Sequence, residues 1–551
     1  MSEIIVSLSS NSDNREIDEY HDISSDSGSS GSNSSSSDSN SSGGNATDEQ
    51  YTFGVPRVPL EELGQHPDYI PGCFQENHQI MDVSFELKNV KKIKFRKKQN
   101  AIKSRNGIDN LPDAILEHIL SYLSTKDAVR TSILSKRWQY LWTSIPKLEF
   151  YEEEPDRKTM LMNFVQRALA LRDSSNIKDF SLSCDVECET HRINSWISAV
   201  VKHKVQVLYL GLANFQESLE LTPRLFTCES LKELTLSMFH YLKLPTTSVS
   251  FPSLKKLILM EVIFPDDNST QQLFSGCPIL EELFIIDCIW NNVKAVYIAP
   301  PMLRILHISD ANENKDDLNA DADGQNESNS CQVKIFGNSL ESFSFSGDHL
   351  NDFCLLNSSS VVDASIEVFQ RDDEDFYVDV QDAHHLYKLL DGLGNVEKLR
   401  LQVSSLEVLN YAEELFPLLP VFNNLTSLTL GSELPIEFSR LLTILRNSPC
   451  LDFLELAMGI TYHGIYDSIL DRVPSCLMTH LKTINIFGLS GDEKEIHAIK
   501  ILLKIALVLK RISISFDAFD FECSGDIMKL KEISAQILSF PKGSSCSIFF
   551  C

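Results

Sequence analysis

Long apolar runs are missing from this sequence of 551 residues. The nearest approach, Ile499 to Val508, is broken by Lys500 and Lys504, whereas a membrane-spanning helix needs about 18 uninterrupted apolar residues. The opening letters MSEIIVSLSS contain neither a basic segment nor an apolar run of signal-peptide length. We therefore expect a protein that is neither inserted in a membrane nor secreted.

Basic residues are also fewer than acidic residues in this sequence. The chain has 49 Lys and Arg against 77 Asp and Glu, a net charge of −28, which argues against a general binder of nucleic acids or acidic membranes. The 13 cysteines are odd in number and show no framework spacing. They are typical of reduced, mostly buried thiols, so we expect a location in the nucleus, the cytoplasm or both.

Sequence motifs of catalysis and metal binding are absent as well. The sequence contains no Gly-x4-Gly-Lys-Ser/Thr phosphate loop and no nucleophile-elbow sequence. Cys184, Cys188 and His191 provide three possible zinc ligands where a closed structural site needs four. Asn319 to Gly324 imitates a calcium loop, but Ser330 stands where the bidentate Glu should be. We predict no catalytic site, metal or cofactor.

The first 107 residues are compositionally unlike the rest. Residues 1–50 hold eighteen Ser, ten acids and a single Arg, which predicts a disordered acidic tail. Residues 51–107 are interpreted as a linker with a basic patch. Its candidate nuclear-import residues are Lys91, Lys92, Lys94, Arg96, Lys97 and Lys98. A solvated basic linker attracted to the protein's own acidic surface explains this composition equally well.

Residues 108–150 have the apolar spacing of short amphipathic helices. Pro112 suits a first helical turn, and Thr125 can cap a second helix. A unit of about forty residues cannot bury so many large apolar side chains alone, so part of this surface should meet a partner. The alternative is that the apolar stripe only packs on the following domain. The residues that we expect to divide between internal packing and partner contact are Leu111, Pro112, Ile115, Leu116, Ile119, Leu120, Val129, Leu134, Trp138 and Trp142.

This segment resembles an F-box in the form common in plants. The resemblance rests on the opening Leu111-Pro-Asp-x-Ile115-Leu116, on Leu134-Ser-Lys-Arg-Trp138 and on Leu141-Trp142. It implies a three-helix element that binds the Skp-type adaptor of a cullin–RING ubiquitin ligase, and through that adaptor the cullin and RING subunits.

A Leu-x-x-Leu-x-Leu frame recurs twelve times between Ile177 and Ile486, mostly at intervals of 21 to 30 residues. This period is typical of leucine-rich repeats, in which each unit contributes one short strand to a shared core. The fold class is therefore α/β, with a small helical F-box followed, over 175–473, by an irregular solenoid built on a curved parallel sheet. Two longer gaps, before Leu340 and before Val396, are expected to hold coiled insertions on the convex side, and the second gap is also expected to contain a helix from Ala383 to Leu390.

Residues 474–551 resemble the plant FBD domain. The resemblance rests on Pro474-Ser-Cys-Leu477, a helical stretch from Ile496 to Leu509, and the ending Phe540-Pro-Lys-Gly-Ser-Ser-Cys546. Lys542 stands where Arg is expected, and Gly543 also departs from the family's pattern. For this region we infer only a cap on the solenoid that carries a long apolar helix.

Strand alternation assigns the residues between and after the leucines to the exposed face of the sheet. These positions are mostly polar but turn apolar in the middle units, which marks a candidate target-binding patch. Its residues are Ile258, Met260, Phe284, Ile286, Ile305 and His307. A frame that is wrong by one residue would instead place all of them in the core, and a covering segment would hide them.

Taken with the resemblance, these patterns predict a non-catalytic substrate receptor of an SCF-type (Skp–cullin–F-box) ubiquitin ligase. The F-box would bind the Skp-type adaptor, and the repeats would bind an unknown target protein, with no membrane and no direct nucleic-acid contact. The alternative is a repeat scaffold, possibly nuclear, that is not assembled into a ligase. Co-purification with a cullin separates the two.

Overall fold

A computed structural model describes residues 108, 111–152, 158–187, 190–215, 220–245, 249–290, 292–310, 331–347, 351–368, 380–412, 415–431, 435–462, 473–516 and 524–550. The chain divides into two units, residues 1–100 and residues 101–551, and every described residue belongs to the second. Among the described residues, no helix is long and apolar enough to cross a membrane. The acidic tail and the basic patch lie outside the described residues.

Short helices open the described chain and recur between the strands. They are α1 (Asp113–Leu120), α2 (Thr125–Arg130), α3 (Lys158–Ala170), α4 (Thr190–Lys202), α5 (Asp267–Ser275), α6 (Val380–Asp391), α7 (Val403–Val408), α8 (Phe438–Arg446), α9 (Ser475–Thr479), α10 (Glu493–Ile505) and α11 (Ser524–Leu538). Short 3-10 turns occur at Thr131–Ile133, Leu141–Ser144, Leu225–Thr227, Leu409–Ala412 and Phe416–Leu418.

A parallel sheet of fifteen strands forms the main body of the described residues. In spatial order its strands are β1 (Lys147–Tyr151), β2 (Asp179–Glu187), β3 (Val207–Phe215), β4 (Glu233–Tyr241), β5 (Lys256–Ile263), β6 (Glu282–Ile286), β8 (Ile305–Asp310), β10 (Ser342–Gly347), β12 (Asp363–Val368), β13 (Lys398–Gln402), β14 (Ser427–Gly431), β16 (Phe453–Leu456), β18 (Thr483–Leu489), β19 (Arg511–Phe516) and β20 (Ser547–Phe550).

The repeat frame sets the strand register. Leu257 in β5 pairs with Leu283 in β6, and Leu283 pairs with Leu306 in β8, so equivalent leucines stack from strand to strand. All three are completely buried, and each such side chain contributes roughly 1.5–3 kcal/mol of transfer free energy. The parallel sheet, its repeats and the helical segment at 113–144 confirm the predicted α/β solenoid fold.

Two smaller parallel sheets accompany the main one. The first has the order β11 (Asp352–Leu356), β9 (Gln332–Phe336) and β7 (Ala295–Ile298), and the second pairs β15 (Ile436–Glu437) with β17 (Ile460–Thr461). The long gap before Leu340 therefore contains a regular strand, β9, beside the undescribed stretch 311–330. In the gap before Val396, α6 confirms the predicted helix.

One contiguous core links the helical segment to the sheet. Trp138 and Trp142 belong to the same cluster of buried side chains as Leu148 in β1, and the cluster extends to Cys546 near β20. The sheet thus continues beyond 175–473 on both sides, with β1 before it and β18, β19 and β20 after it. The region that resembles an FBD adds three strands to the sheet together with the apolar helix α10.

Candidate functional site

The segment that resembles an F-box is held together by local capping and by one long-range clamp. α1 starts directly after Pro112, and the side chain of Ser124 accepts a hydrogen bond from the Asp127 backbone N–H at 3.1 Å at the start of α2. The guanidinium of Arg137 donates to the Asp113 carboxylate at 2.8 Å and to the Leu111 carbonyl. Arg137 therefore fixes the beginning of α1.

The predicted cap of the second helix was wrong by one residue. Ser124 is the N-cap, and Thr125 occupies the first helical position with a buried side chain. The Thr125 hydroxyl oxygen accepts a hydrogen bond from the Glu149 backbone N–H at 2.7 Å. Thr125 thus joins α2 to strand β1.

The ten predicted adaptor-contact residues differ in burial. Leu116, Leu120, Trp138 and Trp142 are buried, while Leu111 and Val129 are half-buried against the core. The four that remain exposed are Pro112, Ile115, Ile119 and Leu134. Among the ten, these four have the most surface available for contact with another protein.

Sequence reasoning missed several exposed apolar residues in the same segment. Ile133 is 88% exposed and Tyr122 is 77% exposed, and Leu123, three residues after the last residue of α1, is also exposed. Tyr122 and Leu123 continue the stripe of Ile115 and Ile119 at steps of three and four residues, which was the available signal for these two residues. We call Ile115, Ile119, Tyr122, Leu123, Ile133 and Leu134 the F-box apolar face. So many large exposed apolar side chains in a short segment mark an interaction surface.

The candidate target patch occupies the sheet face opposite the core. Ile258, Phe284 and His307 are direct neighbours on β5, β6 and β8, and Met260 pairs with Ile286. Ile305 lies on β8 two residues before His307, and it pairs with Glu282 of β6. The flanking residues Leu257 and Leu259 are completely buried, so the alternation follows the predicted frame.

Exposure within the patch is uneven. Ile258 and Phe284 are buried, at 7% and 9% exposure, although neither belongs to the contiguous core. The Lys256 ammonium lies 4.8 Å from the centre of the Phe284 ring, and the His307 ring centre lies 5.9 Å from it. His307 Nδ1 and the Ser344 hydroxyl are 2.5 Å apart. Met260, Ile286, Ile305 and His307 keep partial exposure.

The described residues do not gather metal ligands. No group of three or more His, Cys, Asp or Glu side chains in the described ranges is arranged to hold a metal ion. Burial raises the pKa of the Cys184 thiol to about 12, and does the same for Cys277, Cys331 and Cys476. These four thiols stay protonated at neutral pH, which makes them poor nucleophiles and poor metal ligands.

Protein-family comparisons match three parts of the chain. The F-box domain family matches residues 108–150. The family described as "FBD-associated F-box protein At5g56370, LRR repeats" matches residues 193–321, and the FBD family matches residues 471–514. F-box domains generally bind Skp-type adaptors.

Several proteins of Arabidopsis thaliana are similar along most of their length. "F-box protein At3g59000" is 32% identical over 448 residues, which cover 74% of this chain and 86% of the relative. "Probable FBD-associated F-box protein At1g32375" is 29% identical over 455 residues, covering 80% and 99%. "F-box/FBD/LRR-repeat protein At5g56420" is 28% identical over 454 residues, covering 81% and 99%.

Proposed function

The chain belongs to the plant family of F-box proteins with leucine-rich repeats and an FBD domain, and from this we propose that it is the substrate-recognition subunit of an SCF-type ubiquitin ligase. In this role the F-box binds the Skp-type adaptor, and the repeats hold the target protein. F-box and leucine-rich-repeat domains in one chain suggest such a receptor. Ubiquitin transfer itself is carried out by other subunits.

The observation that carries the proposal is the F-box apolar face. Leu134 is 63% exposed and Ile115 is 46% exposed, while Leu116, next to Ile115, is fully buried. The helices therefore have their own packing and still present large aliphatic side chains to solvent. Exposed apolar anchors of this kind dominate protein interfaces when a partner covers them.

The contribution of such a receptor to catalysis is positioning. A target held on the repeats stays near the charged conjugating enzyme, which raises the effective concentration of its lysines. No bond chemistry is required of the receptor.

The test is co-purification with a cullin from plant cells. A variant with Ile115→Glu and Leu134→Glu places charges on the F-box apolar face and should lose the cullin. Leu418→Glu is the matched control, because Leu418 is 60% exposed and lies in the repeats. Cullin recovery that stays the same in the double variant would contradict the role of the F-box apolar face, and a wild type that recovers no cullin would support a scaffold that is not assembled into a ligase.

A further inference from the structure

The C-terminal ends of β4, β5 and β6 carry a second exposed apolar surface that is edged with acids. Met260 and Ile286 pair across β5 and β6, and both are partly exposed on the face opposite the core. Phe239 follows the buried Met238 on β4 and is 38% exposed. Glu261 and Asp287 come directly after Met260 and Ile286. We call these five residues the acid-rimmed patch.

The backbone at the two acids is unusual. Glu261 and Asp287 have positive φ angles, 57° and 51°, although neither is a glycine. The left-handed conformation at Glu261 interrupts the alternation of buried and exposed side chains along β5. Met260 and Glu261 are therefore both outside the core, and the next residue, Val262, is buried again. The same happens at Ile286 and Asp287 before Cys288. Two adjacent strands thus place an apolar side chain and a carboxylate side by side.

The carboxylate of Glu261 has no counter-ion. Within the described ranges it makes no hydrogen bond or ion pair, and Asp287 is close enough to act on it electrostatically. Partial burial and, second, the charge of Asp287 raise the pKa of Glu261. The nearest cation along β5, Lys256, is already paired with Glu282 at 2.7 Å. Glu261 therefore has no cation partner in the described part of the chain.

We propose that the acid-rimmed patch binds a segment of the target protein that presents a large apolar side chain next to a lysine or arginine. The apolar side chain covers Met260, Ile286 and Phe239, and the cation lies between Glu261 and Asp287. This inference deepens the target-binding half of the proposed function and does not depend on the adaptor half.

Charge complementarity selects this occupant over others. A cation at the rim relieves the repulsion between two neighbouring carboxylates, whereas an acidic peptide or a nucleic acid would increase it. The chain's net charge of −28 also attracts basic segments and speeds their association. Ile258 and Phe284, which lie next to the patch, are already buried in the free protein.

The test is selection of short random peptides displayed on phage against the full chain purified with its Skp-type adaptor. The wild type should enrich peptides in which an apolar residue adjoins Lys or Arg. The variant Glu261→Gln with Asp287→Asn keeps the shape and removes the charges, so it should lose the Lys and Arg preference. A synthetic copy of the enriched peptide should bind this variant about fivefold more weakly, and the difference should shrink in high salt.

The matched control is Asp179→Asn with Glu233→Gln, which removes two charges from the same face at the opposite ends of β2 and β4. It should keep the wild-type preference. Absence of enriched peptides, or a Lys and Arg preference that persists in the Glu261 and Asp287 variant, would overturn the inference. Adaptor recovery in the same preparation is a separate readout, because its loss would contradict the ligase role and leave the peptide result standing.

Discussion

At the residue scale, Glu495 is the buried charge with the clearest energetic consequence. It is 5% exposed, and one carboxylate oxygen accepts hydrogen bonds from the Gly491 and Asp492 backbone N–H groups at 2.8 and 3.2 Å and from the Ser490 hydroxyl at 2.9 Å. Burial raises the pKa of this carboxyl, and the hydrogen bonds oppose that rise. The group caps α10, in the region that resembles an FBD.

The raised pKa of Glu495 predicts a pH-dependent stability. The folded state keeps the proton to a higher pH than the unfolded state, so stability from this site is greatest below an unfolded pKa of about 4.3 and falls as pH rises through the folded pKa. The variant Glu495→Gln preserves an acceptor oxygen and does not titrate. The melting temperature of the wild type relative to this variant should fall as pH rises from 4 to about 7. A relative melting temperature that increases with pH would contradict this account.

Single residues also show where sequence reasoning stops. The repeat frame correctly put Ile258 and Phe284 on the face opposite Leu257 and Leu283. It did not anticipate that both would be buried, because burial of Phe284 depends on Lys256 and His307 from neighbouring strands. Such lateral contacts join residues about 25 positions apart, and the period of one strand contains no information about them.

At the element scale, the Leu-x-x-Leu-x-Leu frame predicted twelve of the fifteen strands of the main sheet and overlooked three. Ile145, Leu148 and Phe150 fit the frame and form β1, and Leu509, Ile512 and Ile514 do the same for β19. The last strand, β20, follows a shortened form of the frame that starts at Cys546. The strands β7, β9 and β11 could not be found in this way, because they belong to a separate sheet outside the repeat frame.

The contact between α2 and β1 gives a test at this scale. Thr125→Val removes the hydroxyl that accepts from the Glu149 N–H and leaves that backbone donor without its partner. The free energy of unfolding should drop by about 1–3 kcal/mol. Thr426→Val is the control, because the exposed Thr426 donates only to the Glu397 carbonyl and its loss should cost little. Equal denaturation midpoints for the two variants would refute the role of Thr125.

The basic patch is an element of the sequence that lies outside the described residues. If it is a nuclear-import signal, replacement of Lys91, Lys92, Lys97 and Lys98 with Gln should move a fluorescently tagged protein from the nucleus toward the cytoplasm, because import receptors recognise clustered positive charge. The distribution is measured by microscopy of living cells. An unchanged distribution would favour the linker interpretation.

At the scale of the whole molecule, the F-box and the repeats share one core. Trp142, Ile145 and Leu148 belong to the same buried cluster as the sheet residues, and four of the five residues of β1 lie inside the segment 108–150. Deletion of 108–150 should therefore expose the core beside β2 and lower the melting temperature by several degrees, whereas Ile115→Glu with Leu134→Glu should not. A deletion that melts like the wild type would mean that the two parts fold independently.

The central claim is that the F-box apolar face binds the adaptor while the repeats remain free for a target. Its most direct test is a calorimetric titration of the full chain with a Skp-type adaptor. Central apolar anchors are worth about 2 kcal/mol or more each, so Ile115→Glu with Leu134→Glu should weaken binding by roughly a thousandfold or abolish it, and Leu418→Glu should bind like the wild type. Equal affinity of the double variant and the wild type would contradict the account.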